Sequence, residues 1–199
     1  DRGFANCDGD SSNGCEVDTT RDANHCGGCG IRCAGVTRCE QSTCVRAEQI
    51  TVRSNGACVR LSNGTAECWG SNSSGAVGNG TTDSAPSPRL VVGLRNITDI
   101  SAGGEMVCAI DTGRVHCWGR NNSGELGGST AAMLSSVPLA VPMVPTAARV
   151  RAGSNFACAL TAMGAVWCWG YSNDGQCGAY NGPFGVTARA IPLPMAAQQ

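Results

Sequence analysis

From residue 46 onward, short apolar or β-branched runs alternate with clusters of Gly, Asn, Ser and Pro, and no 3.6-residue period persists. In the middle of this stretch the runs are residues 97–103, 106–110, 114–119 and 138–144. They predict four short strands, and similar runs occur before and after them. The turns between the second and third runs are specified as well. Leu61 and Thr65 flank Ser62-Asn63-Gly64, and Thr161 and Ala165 flank Ala162-Met163-Gly164, so both read as three-residue hairpin loops with Gly where φ must be positive. The middle hairpin closes through Thr112-Gly113, one residue shorter.

The pattern repeats. Cys58, Cys108 and Cys158 lie fifty residues apart, and Trp69, Trp118 and Trp169 follow, each preceded by Cys and followed by Gly. After each Trp-Gly come Gly75, Gly124 or Gly175 and then Gly78, Gly127 or Gly178. Four strands in about 50 residues is the size of a propeller blade. The expected fold is therefore all-β: a partial, three-blade β-propeller of four-stranded repeats (46–95, 96–147 and 148–199), preceded by a small, irregular, disulfide-rich module at 1–45. Three blades cannot close a ring. The repeats are accordingly expected to form an open arc, a fragment of a larger propeller whose ends meet missing blades or other chains.

Cysteine spacing agrees with this register. The interval is one residue shorter in the middle repeat (Cys108 to Cys117) than in the others (Cys58 to Cys68, Cys158 to Cys168), matching its shorter turn. The two cysteines of each hairpin thus stay opposite one another, within disulfide reach. Each bridge would contribute at most about 2.5–3 kcal/mol by loop closure. Buried pairs of free thiols are the alternative. Cys177 is left over; it stands where the other repeats have Val77 and Leu126, which makes it a reduced core residue. Pairing with the odd cysteine of the first module is the competing reading.

The shared pattern, as in CAIDTGRVHCWGRNNSGELG, resembles the repeats of the regulator of chromosome condensation family. The resemblance covers 46–199 and implies blades of a seven-bladed β-propeller. It also implies a binding role: the family includes a nuclear exchange factor for a small GTPase, a secreted inhibitor of β-lactamases and many exported bacterial binding proteins. The chain departs from the pattern where the family often has His, at Gly56, Met106 and Phe156, and Val52-Arg53 replaces the Ala-Gly of 102–103 and 152–153. No exchange-factor site residue can be matched to a position here.

Seven of the fourteen cysteines fall in the first 44 residues: Cys7, Cys15, Cys26, Cys29, Cys33, Cys39 and Cys44. With few large apolar side chains, such a segment needs cross-links, as oxidising compartments allow. It resembles the cysteine-rich modules of exported myxobacterial proteins. His25, Cys26, Cys29 and Cys33 also have the spacing of a zinc or iron–sulfur site, a reading that an oxidising compartment opposes. Asp8, Asp10, Asn13, Glu16 and Asp18 place oxygen ligands within eleven residues. Their order follows a calcium loop only in part, so the segment reads either as a calcium site or as a solvated acidic turn.

Charge adds little. The net charge is −1 and every basic residue is arginine, so no footprint for nucleic acid or anionic lipid is visible, and no run of 18 apolar residues could insert in a membrane. The chain opens at Asp1, which reads as a cleaved leader or a fragment. Histidine occurs only at 25 and 116, and His116 aligns with Glu67 and Trp167, so imidazole is not required there. No nucleophile motif, phosphate loop or carboxylate pair stands out, and the chain is not expected to be an enzyme or to need a cofactor other than calcium. Asn63, Asn72, Asn79, Asn96 and Asn121 begin glycosylation sequons, which turn chemistry alone can produce. The expected function is an exported or cell-surface binding or scaffold module, acting through blade loops on a protein or cell-surface glycan. Guanine-nucleotide exchange on a small GTPase is the alternative, opposed by the cysteine usage.

Overall fold

A computed structural model of the chain describes residues 3–35, 37–128, 132–178 and 186–193. It forms two compact units, Asp1–Glu48 with Leu61–Asn63, and Gln49–Arg60 with Gly64–Gln199.

The first unit has little regular structure. β1 (Phe4–Ala5) pairs with β2 (Val17–Asp18), and β3 (Arg38–Glu40) pairs with β4 (Thr43–Val45), both antiparallel. Apart from cysteine, its buried apolar side chains among the described residues are Val45 and Leu61. Disulfides Cys7–Cys29, Cys26–Cys39 and Cys33–Cys44 take the place of a core.

The repeats form three four-stranded antiparallel meanders. The first runs β5 (Ala47–Arg53), β6 (Gly56–Leu61), β7 (Ala66–Gly70), β8 (Ala85–Leu90). The second runs β9 (Ile97–Gly103), β10 (Met106–Asp111), β11 (Arg114–Arg120), β12 (Leu134–Ala140), and the third β13 (Ala147–Ala152), β14 (Phe156–Thr161), β15 (Val166–Gly170), β16 (Val186–Ile191). These are propeller blades, and the all-β expectation holds. Among the described residues no helix is long and apolar enough to cross a membrane.

One strand lies elsewhere than the apolar pattern suggests. The fourth strand of the middle blade is Leu134–Ala140 rather than 138–144. β12 is the outer edge of its sheet and mostly solvated, so it carries no apolar alternation. Edge strands tolerate proline because one row of N–H groups has no ladder partner, and Pro86, Pro88 and Pro138 all lie in outer strands. Of the apolar residues after β12, Val141 turns inward and is buried, while Pro142 and Met143 stay exposed.

The Trp-Gly and Gly-x-x-Gly marks lock one blade to the next. Trp118 of the second blade is fully buried and donates its indole N–H to the carbonyl of Ala76 in the first, at 3.0 Å. Trp169 of the third blade does the same to Glu125 of the second, at 2.9 Å. The glycines are needed for this approach: Gly78 has φ +75°, and a Cβ there would lie 2.6 Å from the Trp118 ring nitrogen. Trp69, in the first blade, is only half-buried. Each glycine turn is stapled from within. Asn72 Oδ1 accepts from Val77 N and Asn121 Oδ1 accepts from Leu126 N, while Ser172 Oγ accepts from Cys177 N in the third blade.

A second lock joins the innermost strands. Gln49 accepts from Ile100 N and donates to Ile100 O, and Thr51 Oγ1 accepts from Ala102 N. One blade on, Asp99 Oδ2 accepts from Val150 N and Ser101 Oγ accepts from Ala152 N. The N–H edges of β9 and β13 are thus capped by side chains of the preceding blade, which removes them as pairing templates. Asp99 is buried and fully used, because Gln49 Nε2 and the Arg151 guanidinium also donate to it. Arg53, at the position of Gly103 and Gly153, is buried and donates to Ser71 O; burial pushes its pKa down, and nearby Glu105 opposes that shift.

Candidate interaction surfaces

The six hairpin cysteines are joined pairwise, Cys58–Cys68, Cys108–Cys117 and Cys158–Cys168, with Cα separations of 4.0, 4.1 and 4.1 Å. In each hairpin the two cysteines are direct cross-strand partners. The bonds hold each hairpin at fixed register, and with it the turn at the blade rim.

The middle hairpin turn borders a cleft of about 380 Å³, lined by Thr112, Gly113, Arg114, residues 140–144 and Thr146. Two of its residues hold conformations that side chains resist: Thr112 has φ 49° and Met143 has φ 68°. Such backbone costs roughly 1–3 kcal/mol per residue and concentrates where a surface is shaped for contact. Hydrogen bonds from Ala147 N to Gly113 O and from Ala162 N to Thr146 O bring the third hairpin turn onto the same rim. That rim exposes two methionines, Met143 at 72% and Met163 at 93%. Exposed thioethers give apolar, adaptable contact area. Sequence reasoning placed the hairpin turns but not this cleft, because the strained residues are Thr and Met rather than the Gly or Asn that announce positive φ.

In the first unit, Asp8, Asp10, Asn13 and Glu16 come together in one loop and bond to one another or to nearby backbone. Asp8 accepts from Asp10 N and Asn13 Nδ2, Asp10 from Ser12, and Glu16 from Cys7 N and Asp8 N. Asp18 lies apart in β2 and accepts from Thr20. Hydrogen bonds to the ionised carboxylates lower the pKa of Asp8 (chiefly the Asp10 N–H), Asp10 (the Ser12 hydroxyl) and Asp18 (the Thr20 hydroxyl). Cys26, Cys29 and Cys33, considered as ligands for zinc or a cluster, are all consumed by disulfides, and His25 Nδ1 accepts from Gly30 N. Thiolates are what such metals need, and these sulfurs are not thiolates.

The odd cysteine of each unit is a free thiol: Cys15 is exposed and Cys177 buried. Cys177 packs with its N–H on Ser172, and burial pushes its thiol pKa up. Val77 and Leu126, its counterparts, are equally buried. His116 is half-buried, with Nδ1 3.3 Å from Arg114 O. Of the sequon asparagines, Asn72 and Asn121 are buried and committed to the glycine turns, so neither can carry a glycan in the folded blade.

Residues 63–110 and 112–160 match the family model described as regulator of chromosome condensation (RCC1) repeat, and residues 148–176 match a second model of the same description. Among solved structures, yeast Prp20 (the yeast RCC1) bound to Kap60 is 20% identical with a TM-score of 0.66, covering 91% of this chain and 47% of that one. Human WBSCR16 is also 20% identical with a TM-score of 0.66, over 74% of this chain and 38% of that one. A second structure of Prp20 from Saccharomyces cerevisiae, reported with its binding to Gsp1p and histones, is 19% identical with a TM-score of 0.62, over 74% and 38%. At these identities the likeness is one of fold, and the chain spans less than half the length of each. No curated protein matches the chain.

Proposed function

The chain belongs to the regulator of chromosome condensation repeat family, and on that premise we propose that it is an exported binding module which engages a protein partner through one rim of its blades. The carrying observation is the rim around Thr112 and Met143, two strained residues that line one cleft, with Met143 exposed there and Met163 exposed on the neighbouring disulfide-pinned hairpin. Family structures bound to or tested with proteins support a protein ligand. Six disulfides fit an oxidising environment and support export.

Labelled chain bound to intact cells tests the reading. Binding should disappear when surface proteins are digested and weaken about tenfold or more in a Met143→Glu/Met163→Glu variant. Binding that survives protease but not glycosidase treatment would transfer the site to a glycan. Accelerated nucleotide release from a small GTPase would favour the exchange-factor alternative instead.

A further inference from the structure

One disulfide of the opening unit differs from the rest in its surroundings. In the Cys7–Cys29 bridge Cys29 is exposed, whereas every other bridged cysteine of the chain is buried or half-buried. Cys29 also stands in the run Gly27-Gly28-Cys29-Gly30, where no flanking side chain shields it, and a Cβ at Gly30 would meet nothing within 4 Å. Attack on a disulfide needs an open approach to one sulfur, and that access helps to set the rate.

The same bridge has an imidazole beside it. One ring nitrogen of His25 lies within 4.8 Å of both Cys7 Sγ and Cys29 Sγ. His25 Nδ1 accepts from Gly30 N at 3.1 Å, so the loop that carries Cys29 also holds the ring, and a neutral ring keeps its proton on Nε2. Around Cys7 the charge is negative: Glu16 Oε1 accepts from the N–H groups of Cys7 and Asp8. A thiolate left on Cys7 would form near that carboxylate, where like charge disfavours it until a proton arrives.

We propose that Cys7–Cys29 is a thiol-exchange site, at which a small external thiol of the cysteinyl-peptide kind becomes covalently attached to Cys29. The incoming thiolate attacks Cys29 Sγ and a new S–S bond forms there. The Cys7–Cys29 bond breaks with its electron pair on Cys7 Sγ, which takes a proton from His25, and the ring regains one from water. One disulfide replaces another, so no further oxidant or reductant is consumed. Cys29 takes the attack because it is exposed, while Cys7 is half-buried and beside Glu16. The exchange opens the longest of the unit's three disulfide loops, leaving the first residues attached through the two-residue pairing of β1 with β2.

The test uses the full chain carrying Cys15→Ser, which removes the exposed free thiol. It is incubated with reduced glutathione, quenched with iodoacetamide at intervals and mapped by peptide mass spectrometry. The first product should carry glutathione on Cys29 and the alkyl group on Cys7, and should form at least about tenfold faster than any other bridge opens. Adding His25→Gln should slow this step about tenfold or more and leave the products unchanged. The direction separates chemistry from structure, because a merely loosened loop would bare the bridge and speed its opening. Intact Cys26–Cys39 and Cys33–Cys44 pairs establish that the opening unit of each variant is folded. Earlier opening of another bridge, glutathione on Cys7, or a folded His25→Gln chain that exchanges as fast as its parent or faster overturns the proposal.

Discussion

The opening unit and the repeats both use disulfides, but they use them for opposite reasons. In the opening unit the bridges join residues 22, 13 and 11 positions apart and tie segments that share almost no apolar contact. In the repeats each bridge spans 9 or 10 positions within one hairpin, already held by ladder hydrogen bonds and packed in or beside an apolar cluster. A cross-link in the first setting substitutes for a core. In the second it trims the freedom of a structure that packing already specifies.

Reduction should therefore separate the two regions, and this is the largest effect expected. The chain-entropy model assigns roughly 3 kcal/mol to each bridge of the opening unit, which has little else to hold it. Hydrogen exchange under reducing conditions should show amides of 3–48 losing protection together, while β9, β10 and β14 stay protected. Removing one hairpin bridge, as Cys108→Ala/Cys117→Ala, should cost at most about 2.5 kcal/mol, read by urea unfolding of the repeats. Collapse of the repeats on reduction would place them in the same class as the opening unit.

Within the repeats the comparison moves to the tryptophans. Trp118→Ala removes a buried indole and its bond to Ala76, and should cost about 3–5 kcal/mol. Trp69→Ala, at a half-buried position with no preceding glycine turn in the described arc, should cost clearly less in the same urea titration. Equal losses would mean that the inter-blade lock contributes little.

The difference between the regions also explains what could be read from the sequence. Blade period, hairpin turns and the two middle strands were legible because Cys, Trp and Gly recur at positions where only a buried or positive-φ residue fits. The outer strands were not, since an exposed edge such as Ala85–Leu90 imposes no alternation. Gln49, Thr51, Asp99 and Ser101 look like ordinary solvated positions until the neighbouring strand is placed beside them. In the opening unit the need for cross-links was visible, but which cysteine meets which depends on a path that has no periodicity to reveal it.

The odd thiols give a smaller effect. In native protein, iodoacetamide should modify Cys15, which is exposed, and leave Cys177, which is buried and whose thiol pKa is raised. Under denaturant both should react. Cys177→Val should shift stability by less than about 1.5 kcal/mol, since Val77 fills the same place in the first blade. Two thiols labelled in the native state, or none, would contradict these placements.

The smallest effect expected is a pH dependence confined to the opening unit. Asp8, Asp10 and Asp18 have lowered pKa values because N–H and O–H groups of the loop donate to their ionised forms. A carboxylate with a folded pKa below its unfolded one contributes stability that is fully present above the unfolded value, about pH 4 for aspartate. That contribution fades as pH falls through the lower, folded value. These groups are on the surface, so water and salt screen the effect and only a modest change is expected. Amide exchange in residues 8–20, corrected for intrinsic rates, should rise between about pH 4 and pH 2, while the inner strands keep their protection. Asp18→Asn should flatten part of this response, because an amide oxygen can accept from Thr20 without titrating. Opening of the inner strands over the same range would show that the response is not confined to the opening unit.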